Sequence, residues 1–478
     1  MQRILVGFLL ALAALANAAE PVAGAWTGTI TAPQGRADIV LVFAPSEKGL
    51  RVAVHMPLMH THSATFDATE DADGKVTIPA LNTTLRRDGD TLTGEFALGN
   101  LPLALRRGGP IPPPEEKPIY PAAPAPRWTH ALGSLTWAAP IVRDGVVYVG
   151  ARDGSFHAVR AADGTPVWTW TGASRIDGSA VATEENIYFI DGKIDLVCLT
   201  RADGALRWRA PLHDETLAGK PAPDNPTFNR RVATPLAIDG VVYAGSSDGG
   251  LYALEAATGK KLWRFDAKSP VFSGIARDGD DRLLFGCMNG SVVTLDRRTM
   301  REVARVRAGG GVVTTPVLAG GNLIVGSRDY MLYAFRASDG APAWKFSYWF
   351  SWVESTPALS DGVIYVGASD YRRVTAFDPA SGTVRWATDV RGLAWGTPLV
   401  TRDTVFIGTV AQNIPGTAIA HTGGIMALDR KTGAVKWQLL AAPAAVNSFG
   451  GYAGSLAPAG DLVIAAGFDG NLIALPAN

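Results

Sequence analysis

A segment rich in histidine and methionine near the N-terminus carries side chains suited to metal binding. It reads His55-Met56-Pro57-Leu58-Met59-His60-Thr61-His62. Imidazole and thioether groups together suit copper, and the candidate ligands are Met59, His60 and His62. Two neighbouring histidines rarely complete a metal site, and a Met-rich run at a strand end is also typical of a core edge with exposed histidines. Copper handling is therefore one hypothesis, and packing is its alternative.

A second set of candidate residues is aromatic or charged and lies further along the chain, mostly just ahead of short alternating runs. Its members are Arg175, Asp177, Arg231, Trp352, Glu354, Arg391, Trp395, Asn447 and Tyr452. Aromatic rings around a few charges are typical of binding pockets. Trp349 and Phe350 fit the same description, although long loops also use such rings to pack onto their own domain. No Ser-His-Asp order, P-loop or glutamate pair indicates catalysis, so we assign no catalytic residue.

The elements that position these residues repeat between residues 128 and 478. One copy reads Thr234-Pro235-Leu236, Asp239-Gly240-Val241-Val242-Tyr243, Gly245, Asp248-Gly249, Leu251-Tyr252-Ala253-Leu254, Thr258-Gly259 and Trp263. The alternating runs predict strands, and the Asp-Gly and Thr-Gly pairs supply the positive φ that tight turns need. Successive copies start 40, 55, 41, 40, 41, 41 and 59 residues apart. Four strands per copy at this period predict an all-β fold, an eight-bladed β-propeller of four-stranded blades.

Spacing within the copies also shows where they deviate. The glycine and tryptophan of a copy are 18 residues apart in several blades, but Gly367 and Trp386 are 19 apart. The eighth copy ends at Leu475 without a final tryptophan strand, and Trp128 stands alone ahead of the first copy. We therefore expect the N-terminal strand to close blade eight, which removes an open sheet edge.

The long links fall at one end of the predicted propeller. They are residues 211–231, 347–354, 411–423 and 441–453, and they belong to the outer-to-inner links and the turns between second and third strands. The opposite end has minimal turns. Because long loops carry function more often than tight turns do, we expect binding on this loop-rich face.

Together, the Thr-Pro, Asp-Gly-Val-Val-Tyr, Leu-Tyr-Ala-Leu, Thr-Gly and Trp motifs resemble the repeat of pyrroloquinoline-quinone (PQQ) proteins. This family includes PQQ dehydrogenases and non-enzymatic envelope propellers such as the outer-membrane β-barrel assembly lipoprotein. A dehydrogenase would use Trp352 or Trp395 to stack on PQQ, and Glu354 and Asn447 among its Ca²⁺ ligands. The adjacent-cysteine disulfide of many such enzymes is absent, as is a Cys-x-x-Cys-His haem motif.

The resemblance therefore implies a non-enzymatic binding or scaffold propeller that recognises a protein or peptide of the cell envelope. A PQQ- and Ca²⁺-dependent periplasmic dehydrogenase and a copper-handling protein are the alternatives. Lys plus Arg equals Asp plus Glu at 44 each, and such a balanced charge argues against nucleic acid as the partner. We expect a monomer with no cofactor, and no insertion into a membrane.

The chain ahead of the repeats divides into three predicted parts. Residues 1–18 combine Arg3, an apolar stretch and Ala16-Asn17-Ala18, which is typical of a secretory signal peptide cleaved near Ala18. Residues 19–107 alternate like a small antiparallel β-barrel or sandwich, and residues 108–127 form a Pro-rich linker. The protein is therefore expected to be periplasmic or secreted. Cys198 and Cys287 fall in different blades, so we expect two free, buried thiols.

Overall fold

The computed structural model describes residues 22–32, 35–47, 49–59, 61–96, 101–113, 118–213, 233–413 and 422–477. The predicted signal peptide lies outside these ranges. The chain forms two compact units, one containing a barrel and the other a propeller that starts at Pro118. In the described residues, no helix has the length and apolar character needed to cross a membrane.

The first unit is a closed barrel of eight antiparallel strands paired in chain order. The strands are Gly24–Ala32 (β1), Gly35–Ser46 (β2), Gly49–Met56 (β3), Thr61–Glu70 (β4), Lys75–Ile78 (β5), Thr83–Asp88 (β6), Thr91–Phe96 (β7) and Leu101–Arg107 (β8). Pairing of β1 with β8 closes the barrel. Trp26, Leu41 and Phe43 are buried, and the Trp26 Nε1–H donates to the Val22 carbonyl at 2.7 Å. Two short 3-10 helices follow β3 and β5, at Pro57–Met59 and Pro79–Leu81.

The second unit is an eight-bladed propeller, as the repeat predicts. The first strand of the unit is Trp128–Ala131 (β9). Blades one to four contain Ile141–Arg143, Val146–Gly150, Ser155–Arg160 and Pro166–Thr171 (β10–β13); Val181–Ala182, Asn186–Ile190, Asp195–Thr200 and Leu206–Pro211 (β14–β17); Leu236–Ile238, Val241–Gly245, Gly250–Glu255 and Lys261–Asp266 (β18–β21); and Ala276–Asp278, Arg282–Gly286, Ser291–Asp296 and Arg301–Arg307 (β22–β25). Within each blade, the strands pair in chain order.

The remaining blades follow the same order, with one addition. Blades five to seven contain Val317–Ala319, Asn322–Gly326, Met331–Arg336 and Pro342–Ser347 (β26–β29); Ala358–Ser360, Val363–Gly367, Arg373–Phe377 and Val384–Asp389 (β30–β33); and Leu399–Val400, Thr404–Asn413, Gly424–Asp429 and Val435–Leu440 (β34–β37). An extra strand, Ser448–Gly451 (β38), pairs with the extended end of β35. Blade eight contains Ala457–Ala459, Leu462–Ala466 and Asn471–Pro476 (β39–β41).

The N-terminal strand supplies the missing fourth strand of blade eight, which confirms the predicted closure. Trp128 pairs with Ala474 in β41, and Ala131 pairs with Asn471. The indole of Trp128 also donates to the Ala161 carbonyl of blade one at 2.9 Å. The two ends of the repeat region are therefore joined by a full strand pairing, and no edge of blade eight stays open there.

The tryptophan of the repeat links one blade to the next. Trp168, Trp208, Trp344 and Trp386 each donate an indole hydrogen bond of 3.0 Å to a turn carbonyl of the following blade; the acceptors are Arg201, Ala256, Pro379 and Arg430. Each ring also lies directly over the glycine of that turn. A ring this close leaves no space for a side chain, so the turn glycine is required by packing as well as by its positive φ.

Both cysteines are free and buried, as predicted. Cys198 lies in β16 of blade two, and Cys287 follows β23 of blade four. Burial raises the pKa of each thiol to about 12. Neither thiol is therefore ionised at neutral pH, which makes both poor nucleophiles and poor metal ligands.

Two glycines of blade six allow the two reasons for a turn glycine to be tested separately, namely its positive φ and the lack of space beneath a tryptophan ring. Gly382 has a φ of 73°, and a Cβ atom there would lie 2.6 Å from Cδ2 of Trp344. Gly362 has a φ of 70°, with nothing within 4 Å of the same position. Gly362→Ala should lower the free energy of unfolding by about 1–2 kcal/mol, the cost of the left-handed backbone. Gly382→Ala should cost a further ~1–3 kcal/mol, because the methyl group displaces the ring.

Urea unfolding followed by tryptophan fluorescence gives both values. If both variants lose the same free energy of unfolding, the close contact between Trp344 and Gly382 does not stabilise the propeller.

Candidate functional site

The loop-rich face is built by a backbone contact that recurs from blade to blade. On this face, the second residue after a blade's second strand donates its N–H to the link that enters the same blade. Examples are Arg152 to the Leu135 carbonyl at 3.0 Å and Arg328 to the Gly311 carbonyl at 2.9 Å. This hydrogen bond sets the backbone, and the side chain then extends toward the following blade.

In four blades, the side chain contacts the fourth residue before the first strand of the following blade. We call these contacts rim pairs: Arg152 with Asp177, Arg328 with Glu354, Ser369 with Trp395, and Phe468 with Trp137. They occupy equivalent positions of the repeat but differ in chemistry. The rim of the loop-rich face thus has charged sectors and an aromatic sector.

The charged rim pairs are buried and balanced. The Asp177 side chain is 2% exposed and lies 3.1 Å from Arg152 Nε and 2.8 Å from Arg175 Nε. The Glu354 side chain is 6% exposed, and its Oε1 accepts from both Nε and Nη2 of Arg328 at 2.9 and 2.8 Å. Buried carboxylates need such partners, because an unpaired buried charge is strongly destabilising. These predicted site residues therefore join neighbouring blades.

Trp352 belongs to the same charged sector. The Arg328 guanidinium lies 4.9 Å from the centre of its ring, within the range of a cation–π contact. One arginine thus holds two of the predicted site residues, Trp352 and Glu354. The neighbouring Trp349 and Phe350 are buried, so these rings pack against the propeller.

The aromatic sector is a cluster of four rings from blades seven, eight and one. We call Trp137, Trp395, Phe449 and Phe468 the aromatic cluster. Trp137 stacks on Trp395 with ring centres 5.7 Å apart, and Phe449 and Phe468 meet Trp137 edge-on at 5.3 and 4.7 Å. Trp395 also donates its Nε1–H to the Ser369 hydroxyl at 2.7 Å. All but Phe468 are only half-buried, so the cluster presents apolar surface.

An insertion in blade seven places Phe449 in this cluster. The second strand of that blade, β35, continues past the blade to Asn413 and pairs there with β38. Phe449 lies in β38 opposite Gln412. The long link that the sequence indicated at residues 441–453 thus builds one wall of the cluster.

The remaining predicted residues have different surroundings. Arg391 donates to the Pro118 carbonyl and lies 5.4 Å from the Tyr120 ring centre, so it holds a part of the Pro-rich segment within the propeller unit. Asn447 is exposed with a φ of 60°, and Tyr452 is buried in the core between blades seven and eight. Arg231 lies outside the described residues.

The histidine-rich segment does not continue as a strand. Met59 lies in the 3-10 helix Pro57–Met59, His62 lies in β4, and His60 is outside the described residues. His55 is buried, and its pKa is lowered by that burial and by the nearby His62. Within the part of the chain that the structure describes, no group of three or more His, Cys, Asp or Glu residues could hold a metal ion.

The residues considered for PQQ and Ca²⁺ do not fit that site. Two hydrogen bonds of the Arg328 guanidinium go to Glu354, so this carboxylate is already neutralised where a calcium ligand must be free. Trp395 has its ring stacked on Trp137, and Asn447 is exposed on a link. We therefore derive no step through a quinone.

Sequence reasoning missed Trp137, Arg328, Asp370 and Phe468. Three of the four belong to rim pairs, and the repeat register contains the signal for them. Each of these three lies either two residues after a second strand or four residues before a first strand. An alignment of the eight copies therefore shows these two positions directly. Asp370 follows the rim residue Ser369 in the one blade where the spacing is 19 instead of 18.

Comparison with known proteins gives three findings. A family described as outer membrane protein assembly factor BamB matches residues 121–257, 247–350 and 345–478. The chain is 24% identical over 301 residues to outer membrane protein assembly factor BamB of Burkholderia pseudomallei, covering 59% of this chain and 72% of that protein. It is 32% identical over 108 residues to quinoprotein alcohol dehydrogenase PedH of Pseudomonas putida, which covers 20% of this chain and 18% of the relative.

Among solved structures, a quinohemoprotein alcohol dehydrogenase, ADHIIG from Pseudomonas putida, superposes with a TM-score of 0.56 at 13% identity. The match covers 74% of this chain and 76% of that one. At this identity the likeness supports the propeller fold alone.

The structural role of the charged rim pairs can be tested on Arg328. Arg328→Met should lower the free energy of unfolding by about 3–5 kcal/mol, because Glu354 is left buried without a partner. Adding Glu354→Gln should recover part of this loss, since the amide carries no charge. The exposed pair Arg336–Asp339 is the matched control, and Arg336→Met should leave the urea midpoint unchanged. If Arg328→Met behaves like this control, Glu354 does not need its partner and is free to bind a ligand.

Proposed function

Because the chain belongs to the family of outer membrane protein assembly factor BamB, we propose that it is an exported, non-enzymatic propeller that binds a protein or peptide of the cell envelope. The observation that carries this proposal is the aromatic cluster on the loop-rich face. Half-exposed tryptophan and phenylalanine rings that touch one another are typical anchors of protein interfaces. The family match over the whole propeller supports a scaffold function.

The contacts of the acidic candidates support binding over catalysis. A general base must be able to accept a proton from a substrate, whereas Asp177 and Glu354 are buried in ion pairs. Both carboxylates contribute to joining blades. The loop-rich face therefore offers apolar surface for recognition more readily than it offers acid–base chemistry.

The location we propose is the periplasmic side of the envelope. Relatives carry the name of outer membrane assembly factors, and the first residues of the chain have the composition of a signal peptide cleaved near Ala18. We expect the mature protein to be a monomer that requires no cofactor.

The two alternatives are weaker. The relatedness to a quinoprotein dehydrogenase covers 20% of this chain. Of the residues that would hold PQQ and Ca²⁺, Glu354 and Trp395 have partners within the propeller, and Asn447 is exposed on a link. For copper, the candidate ligands left to consider are Met59 and His62, with His60 outside the described residues. Among the residues that the structure describes, neither alternative has a contact that favours it over peptide binding.

Site-specific photo-crosslinking in cells tests the proposed function. The reactive residue is placed at Val446, which is 66% exposed on the link next to Phe449, and, as control, at the exposed Glu184 in the tight turn between β14 and β15. We expect the Val446 position to give a discrete crosslink to an envelope protein, identified by mass spectrometry, and the Glu184 position to give none. Crosslinks of equal yield from both faces, or from neither, would contradict the proposal.

A further inference from the structure

Blade six contains a turn that differs from its equivalents in other blades. Where the second strand turns into the third, the closing backbone hydrogen bond spans four residues in blades one, three, four, five and eight; the donor and acceptor pairs are Ala151 and Ser155, Ser246 and Gly250, Cys287 and Ser291, Ser327 and Met331, and Gly467 and Asn471. In blade six this bond runs from Ala368 to Arg373, so the turn has one residue more. This is the residue that makes the Gly367–Trp386 spacing 19.

Because of the extra residue, Asp370 does not cap its turn in the way that equivalent aspartates do. In blades one, three and eight the third residue after the second strand caps the turn through its side chain: Asp153 accepts from the Ser155 N–H, Asp248 from Gly250, and Asp469 from Asn471. Asp370 occupies this position in blade six, but the amide two residues further on does not bind it. The Arg372 N–H donates to the Ser369 carbonyl at 2.9 Å instead.

Asp370 is exposed, and it forms no ion pair with the described residues. Partial desolvation by the surrounding residues raises the pKa of the Asp370 carboxyl, and the negative charge of Glu354 adds to this effect. The nearby Arg328 already pairs with Glu354. A cation supplied by a ligand would balance the charge of Asp370.

Asp370 adjoins a residue that contacts the aromatic cluster. Trp395 donates to the Ser369 hydroxyl at 2.7 Å, and Asp370 is the next residue along the chain. Trp395 in turn stacks on Trp137. Asp370 and the half-buried rings therefore belong to the same part of the loop-rich face.

We propose that this surface recognises an extended protein segment in which a basic side chain, placed on Asp370, stands next to an aromatic or large apolar side chain, placed on the aromatic cluster. This inference rests on the proposed function and specifies the chemistry of its partner. Charge complementarity determines the choice of a basic residue, because an acidic side chain at this place would meet the negative charge of Asp370. A guanidinium also suits the adjacent indole faces.

Fluorescence polarisation with labelled hexapeptides tests the inference on the mature full-length chain. The peptides place Phe-Arg, Phe-Glu or Ser-Arg at the centre of an uncharged Gly/Ser background. We expect the Phe-Arg peptide to bind about tenfold more tightly than either of the others, since each half of the site contributes. Equal affinity for the Phe-Arg and Phe-Glu peptides would overturn the inference.

Asp370→Asn and Asp469→Asn form a matched pair of variants. Asp469 has the same place in blade eight, beside Phe468, but it caps its turn, and Asn289 shows that an asparagine caps such a turn equally well. Asp370→Asn should weaken binding of the Phe-Arg peptide about tenfold, while Asp469→Asn should change it less than twofold. An unchanged affinity in Asp370→Asn, or an equal loss in both variants, would overturn the assignment to Asp370.

The two proposals fail in different ways. In one outcome, the Val446 crosslink forms equally well in Asp370→Asn, and the protein shows no preference for the Arg peptides. In that case recognition of a basic side chain is refuted, while binding of an envelope protein stands. If the Phe-Arg preference depends on Asp370 but no envelope protein crosslinks, the chemistry stands and the envelope function fails.

Discussion

The contact of a tryptophan with the turn of the next blade is the interaction on which the propeller depends. Each contact combines one indole hydrogen bond with a ring lying over a glycine, as between Trp344 and Gly382. Blades one, two and six both donate and accept this contact, so each of them is held from two sides. Trp128 in the N-terminal strand supplies the contact from blade eight to blade one. Where Met300 replaces the glycine, Trp263 makes no such hydrogen bond within the described part of the chain.

The tryptophan contacts join the blades near their outer strands. The residue types of the rim pairs, which lie near the first strands, can therefore differ from blade to blade. The rim pairs keep their backbone geometry from blade to blade, yet they range from ion pairs to stacked rings. A buried ion pair such as Arg328–Glu354 is a costly way to join two blades, since desolvation consumes most of the attraction. It does, however, leave no free charge. The result is a face on which charged sectors are self-contained and the aromatic sector, with Asp370 beside it, is the part that can engage a partner.

The sequence predicted the propeller well because its signals are local and repeated. Turn glycines, alternating runs and the lone Trp128 each follow from short-range chemistry, and eight copies reinforce one another. In the barrel, the alternation predicted a small antiparallel β-domain as a whole, but strands such as β4, β5 and β6 are harder to recognise one by one. Those three strands are rich in threonine and charged residues, as in Thr83–Asp88, where only alternate positions are buried. The two free cysteines also followed from their blade assignment.

The site was harder to predict, because its members contact partners in neighbouring blades. Glu354 and Trp352 looked like pocket residues in a linear reading, and only the position of Arg328 in the preceding blade shows that they are paired. Conversely, Asp370 looked like an ordinary turn aspartate. Its difference lies in a single extra residue, which lengthens the turn, so that the Arg372 amide donates to the Ser369 carbonyl and not to the aspartate. In a repeat protein, then, function is sought most productively where the spacing of the repeat changes by one residue, because there the side chains lose their structural partners and keep their charge.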